Sequence, residues 1–115
     1  MKYLLMIYSD EKVWAAFPPE QQQVEYKRYT EYSEWLGEQG LYVAGDALAS
    51  TEQATTVQLR DGKTATTDGP FAETKEQLGG YYIVEAENLD RAIEAAARCP
   101  GAEYGTIEVR PIVEM

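Results

Sequence analysis

The chain has 115 residues, 44% of them hydrophobic and 26% charged, so it holds one modest core and is neither a disordered tail nor a fibre. Twenty acidic residues against ten basic ones leave a net charge of -10, which repels nucleic acid and anionic membranes over most of the surface. There is no histidine, so the commonest acid/base near neutral pH and the commonest transition-metal ligand are both missing.

The single cysteine, Cys99, has no partner for an intramolecular disulfide and is too little for a zinc site. No metal and no cofactor are expected, and a reducing, cytoplasmic setting fits. The apolar run from Tyr3 to Tyr8 is far shorter than the roughly 20 residues that span a bilayer. Ser9-Asp10-Glu11-Lys12 then closes it with charge. It reads as a strand, apolar on both alternating faces like a central strand covered on two sides.

After a loop, Pro18-Pro19-Glu20 opens a helix that runs to Gly40, with proline in the first turn and an acidic residue suited to the dipole. At about 100° per residue, Val24, Tyr29, Tyr32, Trp35 and Leu36 share one arc, the face that packs on a sheet. Glu25 and Arg28 fall in the same arc, while Lys27, Glu31, Glu34 and Glu38 lie opposite. Leu41 to Ala49 is the second strand, with Gly45 marking a bulge or a close backbone approach.

Thr55 to Arg60 and Lys63 to Thr67 flank Asp61-Gly62, the two-residue signal for a tight hairpin. Asp68-Gly69-Pro70 breaks that pattern, and a polar loop follows as far as Gly79-Gly80. Residues 80 to 86 form the next strand, again apolar on both faces. Asn88 caps a helix carrying Leu89, Ala92, Ile93 and Ala96 on one stripe, and Cys99-Pro100-Gly101 ends it. Thr106 to Val113 is the last strand, with Pro111 favouring a sheet edge. With the hairpin as an insertion, this order predicts a single α+β domain over residues 1 to 115. Its expected architecture is the ferredoxin-like split β-α-β sandwich, with an antiparallel sheet and both helices on one face.

Two helices cover only one face of such a sheet, yet the strands at 2 to 8 and 80 to 86 are apolar on both. The other face needs a cover. Either the Thr-rich hairpin folds back over it, or a second copy lays its own sheet against it in a two-fold homodimer.

Three phrases carry a family resemblance: Met1-Lys2-Tyr3-Leu4-Leu5-Met6-Ile7-Tyr8, the stretch from Thr67 through Asp68-Gly69-Pro70-Phe71-Ala72-Glu73-Thr74-Lys75 to Tyr82, and Ile107-Glu108-Val109-Arg110-Pro111-Ile112. Their order resembles the YCII-related superfamily in its DGPF branch, over nearly the whole chain. The resemblance implies a ferredoxin-like fold and a homodimer whose paired sheets enclose a cavity. It also implies a bacterial protein, sometimes associated with sigma-factor signalling. The wider superfamily is linked to catalysis by a His and Asp pair. Here the position in the first helix that would hold the histidine falls near Arg28 and Tyr29, so that proposal does not carry over.

The candidate site residues each have a functional and a structural reading. An inward Arg28 calls for a carboxylate partner or an anionic ligand, or else pairs with Glu25 and reaches water. Tyr29 and Tyr32 beside it are hydrogen-bond donors for a ligand. Asp46, next to Gly45, is either a desolvated general base near a cavity or a cap on a turn. Asp68-Gly69-Pro70-Phe71 puts Asp68 at the cavity mouth and Phe71 in its wall, with Glu73 and Lys75 at the rim. Alternatively it is a turn that anchors Phe71 in the core. Tyr82, one of nine tyrosines, lines a pocket for an aromatic or quinone-like ligand or simply packs.

The expected function is therefore a dimeric protein that binds a small aromatic or hydroxylated molecule. Chemistry on that molecule would be a cofactor-free elimination or isomerisation, with Asp46 or Asp68 as acid or base and Arg28 as anion clamp. The alternative is a protein-interaction or regulatory module linked to sigma-factor signalling, whose acidic surface meets a basic partner.

Overall fold

The computed structural model describes residues 1–115. Its element order is β1 (Lys2–Ser9), α1 (Glu11–Ala16), α2 (Pro19–Glu38), β2 (Tyr42–Ala47), β3 (Thr55–Arg60), β4 (Lys63–Asp68), β5 (Gln77–Glu85), α3 (Leu89–Arg98) and β6 (Thr106–Pro111). Four strands pair antiparallel in the order β2-β5-β1-β6. This is the expected ferredoxin-like α+β arrangement, with the two doubly apolar strands, β1 and β5, in the centre and the Pro111 strand at an edge.

Tyr3, Leu5 and Ile7 of β1 and Tyr82 and Val84 of β5 point to the helix side and join Tyr32 and Leu36 of α2 in one core. Ala92, Ala95 and Ala96 complete it from α3, their small side chains letting that helix lie close to the sheet. The buried stripe of α2 runs through Glu25, Tyr32 and Leu36. Val24, expected on the inward arc, lies about 100° round from Glu25 and is exposed.

Several boundaries differ from the sequence expectation. Helix α1 replaces part of a predicted loop: the Asp10 side chain caps it by accepting from Lys12 N at 2.9 Å, and none of its six residues is buried. Strand β2 is shorter than Leu41 to Ala49, because Leu41 still belongs to the close of α2, its N–H donating to Leu36 O across Gly40 at φ +70°. Strand β5 begins at Gln77, so Gly79-Gly80 are strand residues. A Cβ on Gly80 would lie 3.1 Å from Asp46 O, so glycine here answers to close strand approach. Strand β6 ends at Pro111 instead of Val113.

The hairpin forms as predicted around Asp61 (φ 53°) and Gly62 (φ 73°), with Arg60 opposite Lys63. It is a separate two-stranded sheet, and it does not cover the open face: Val57 and Leu59 stay 62% and 66% exposed. The pleat leaves that face to Leu4, Met6 and Tyr8 of β1 and Tyr81 and Ile83 of β5. No helix is long and apolar enough to cross a membrane.

Candidate functional site

A cleft of about 1060 Å³ opens on the helix-bearing side of the sheet, where β1 runs into α1. The paired-sheet picture placed a cavity on the other face, whereas this cleft is built within one chain. One wall comes from α2, through Tyr26, Tyr29 and Ser33, and the floor from Ile7, Gly45, Gly80 and Tyr82. The remaining walls are α1, the turn at residues 50 to 52 and the segment after β4.

Tyr82 is the central polar group. Its ring packs edge-on to Tyr32, with centroids 5.2 Å apart, and its hydroxyl lies 2.8 Å from Ser33 Oγ. Burial raises the Tyr82 phenol above its ordinary pKa, with the Ser33 hydrogen bond opposing. Burial likewise pushes up the phenols of Tyr29 and Tyr104, which also line the cleft. All three hydroxyls are therefore protonated at neutral pH and serve as neutral donors and acceptors, not as bases. The buried Cys99 thiol lies 3.9 Å from the Tyr29 hydroxyl and is itself raised by burial.

Glu11 ties the far wall together. Its carboxylate accepts from Thr51 N at 2.8 Å and Thr51 Oγ1 at 2.9 Å, while its own N–H donates to Gln77 Oε1 at 2.9 Å. Three segments distant in sequence thus meet at one residue, through its carboxylate and its backbone N–H. Trp14 of α1 packs edge-on to Tyr26, 5.2 Å between centroids, and extends the aromatic lining.

Of the residues singled out in the sequence, Tyr29 and Tyr82 lie in the cleft together. Asp46 contributes to its wall, but the carboxylate accepts from Tyr81 OH at 2.9 Å. Tyr81 alternates with Tyr82 along β5, so that carboxylate turns to the opposite face of the sheet. The same hydrogen bond raises the Tyr81 phenol.

Arg28 is not a pocket residue. Its guanidinium lies 3.2 Å from Glu25 Oε1 and 2.6 Å from Glu103 Oε1, and two carboxylates leave it no role as an anion clamp. Tyr32 is not in the cleft either: its hydroxyl donates to Ala95 O at 2.6 Å inside the core, between α2 and α3. Phe71 is 89% exposed, so it neither walls the cavity nor anchors the loop. Asp68 is exposed at the end of β4 and outside the cleft lining. Gly69 and Pro70 do reach the wall, and the turn explains the signature: Gly69 has φ +97°, donates to Ala54 O at 2.7 Å and accepts from Thr56 Oγ1 at 2.8 Å.

Sequence reasoning missed Glu11, Trp14, Ser33 and Tyr104. The Asp10 cap was the one local signal for α1; Ser33 and Tyr104 carry no motif and are brought in by tertiary packing.

The YCII-related domain model matches residues 1–115. An uncharacterised protein of Rhizobium meliloti (strain 1021) is 34% identical over 114 residues, spanning 97% of this chain and 92% of that one. Among solved structures, the 5-chloro-2-hydroxyhydroquinone dehydrochlorinase from Burkholderia phenoliruptrix AC1100, in complex with 2,5-dihydroxybenzoquinone, is similar with a TM-score of 0.51 and 16% identity. That match covers 100% of this chain and 96% of the neighbour, and the likeness is one of fold.

Proposed function

This chain belongs to the YCII-related domain family, and from that premise we propose that its cleft binds a small aromatic or hydroxylated molecule. One observation carries the reading: the hydroxyls of Tyr82 and Ser33, 2.8 Å apart, stand in a cleft whose lining includes the rings of Trp14, Tyr26, Tyr29, Tyr42 and Tyr104. A pair that donates and accepts within itself exchanges readily for a ligand hydroxyl, and aromatic walls take up a flat ring. The fold neighbour was solved with a hydroxylated quinone, a precedent for that ligand type on this architecture.

Binding is the core of the proposal. Its catalytic extension is a cofactor-free elimination or isomerisation with the neutral phenols of Tyr29 and Tyr82 as donors; the Asp46 carboxylate, bonded to Tyr81 on the other face of the sheet, is not its base. In the same reading the protein is a cytoplasmic homodimer whose copies meet across the open sheet face. A second reading, a protein-interaction module, is favoured by a different observation, the exposure of Val57, Leu59 and Phe71 on and beside the detached hairpin.

Thermal shift with phenols and hydroquinones tests the first reading, since a ligand of the folded state alone raises the melting temperature. Stabilisation of the unmodified protein that is lost in Tyr82→Phe and Ser33→Ala is the expected result. Absence of any shift with the whole series overturns it and moves the weight to the interaction module.

A further inference from the structure

The charge on the cleft is as one-sided as its aromatic lining. Asp46 is set aside, because its carboxylate faces Tyr81 across the sheet. Four carboxylates remain in the lining, Asp10, Glu11, Glu52 and Glu73, against a single cation, Lys12. Arg28, the guanidinium nearest in sequence to the lining tyrosine Tyr29, is taken up by Glu25 and Glu103. The chain as a whole carries -10, so the long-range field reinforces the local one.

Within this negative field stand six aromatic rings, those of Trp14, Tyr26, Tyr29, Tyr42, Tyr82 and Tyr104. Their faces attract a cation through the ring quadrupole, most strongly where water is excluded. The carboxylates are not gathered as metal ligands are: no three of the acidic and thiol groups converge on one point. A negative rim around aromatic walls, without a chelating cluster, suits a charge spread on an organic body.

Resting on the proposal that the cleft binds a small aromatic or hydroxylated molecule, we infer that it selects an organic cation. Its ligand is a ring or polyol bearing an ammonium group, favoured over the neutral and the anionic molecule of the same shape. The ring or hydroxyl end meets Tyr82 and Ser33, and the ammonium end meets the carboxylate rim.

The experiment compares three isosteres on the unmodified protein: tyramine, para-ethylphenol and para-hydroxyphenylpropionate, titrated by calorimetry at low and at physiological salt. Tyramine is expected to bind about tenfold more tightly than the neutral phenol, and the propionate more weakly than either. The tyramine advantage shrinks as salt rises. In the double variant Glu52→Gln, Glu73→Gln, both side chains exposed and free of hydrogen bonds, that advantage falls while affinity for the neutral phenol holds. Equal binding of the three, or a preference for the propionate, overturns the inference of cation selection and leaves the cleft a binding site. Binding of none of them overturns both.

Discussion

The ring of Tyr82 lies against the backbone of Gly45 with no room for a side chain: a Cβ at position 45 would stand 2.6 Å from Tyr82 Cδ1. Gly45 therefore sets where the phenol that meets Ser33 is held. Gly45→Ala is expected to push the Tyr82 ring off its position at a cost of about 1–3 kcal/mol, as overpacking does elsewhere. Ligand affinity should fall with it. Urea unfolding paired with calorimetric titration of para-ethylphenol checks both; an alanine variant with unchanged affinity would show that the ring position does not matter to binding.

Tyr32→Phe separates core from cleft. The hydroxyl it removes donates to Ala95 O at 2.6 Å in a buried setting, and its loss is expected to cost about 1–2 kcal/mol of stability. Because Tyr32 does not line the cleft, affinity for a phenol should not change. Chemical denaturation and the same titration decide; a large loss of affinity at full stability would return Tyr32 to the site.

The frame of the fold was legible because its signals are local. Two-sided apolar strands at 2 to 8 and 80 to 86 belong in the centre of a sheet, and Asp61-Gly62 requires a tight hairpin wherever it occurs. Helix α1 escaped because six residues are too few for a periodicity to emerge. The site was harder still. Helical spacing placed Arg28 on the inward side, but nothing in sequence announces Glu103, 75 residues away, as the partner that closes the question. Phe71 misled for the opposite reason, since a large apolar residue in a loop suggests an anchor and here is left in solvent. Asp46 was rightly placed beside Gly45, but a bulge between Tyr42 and Ala44 resets which face each residue takes, and that shift is invisible in a pattern of alternation.

Arg28→Met leaves Glu25 buried without its cation. The Arg28 side chain is 34% exposed, so the expected destabilisation is about 2 kcal/mol, below the roughly 3–5 kcal/mol of a fully buried pair.

A pH signature accompanies that variant. Hydrogen bonding to Arg28 holds the Glu103 carboxyl below its ordinary value. A carboxyl depressed in the folded state stabilises fully above the ordinary carboxylate range, and that contribution is lost as pH falls through the depressed value. Arg28→Met removes this loss, so the difference between the two proteins should narrow on acidification. Urea midpoints from about pH 2 to about pH 7 provide the check, and parallel profiles would show that the pair does not couple to folding.

The open sheet face sets the last prediction. Met6 stands opposite Tyr81 and Leu4 opposite Ile83, so the uncovered side of β1 and β5 has a contiguous uncharged patch, with Lys2, Glu85 and Asp46 at its margins. On a chain of net charge -10, that patch is where two copies can approach with least repulsion, and a two-fold contact buries the same residues on both. Sedimentation is expected to give about twice the 12.9 kDa of one chain. Ile83 is only partly buried in the single chain, so Ile83→Glu should leave the fold intact by circular dichroism and release monomers, because two carboxylates would face each other in an apolar contact. Mutual repulsion of the acidic surfaces also makes the dimer weaker at low ionic strength, where charges are less screened. An unmodified chain that sediments as a monomer at physiological salt would refute the paired sheets, and the open face would then need a different partner.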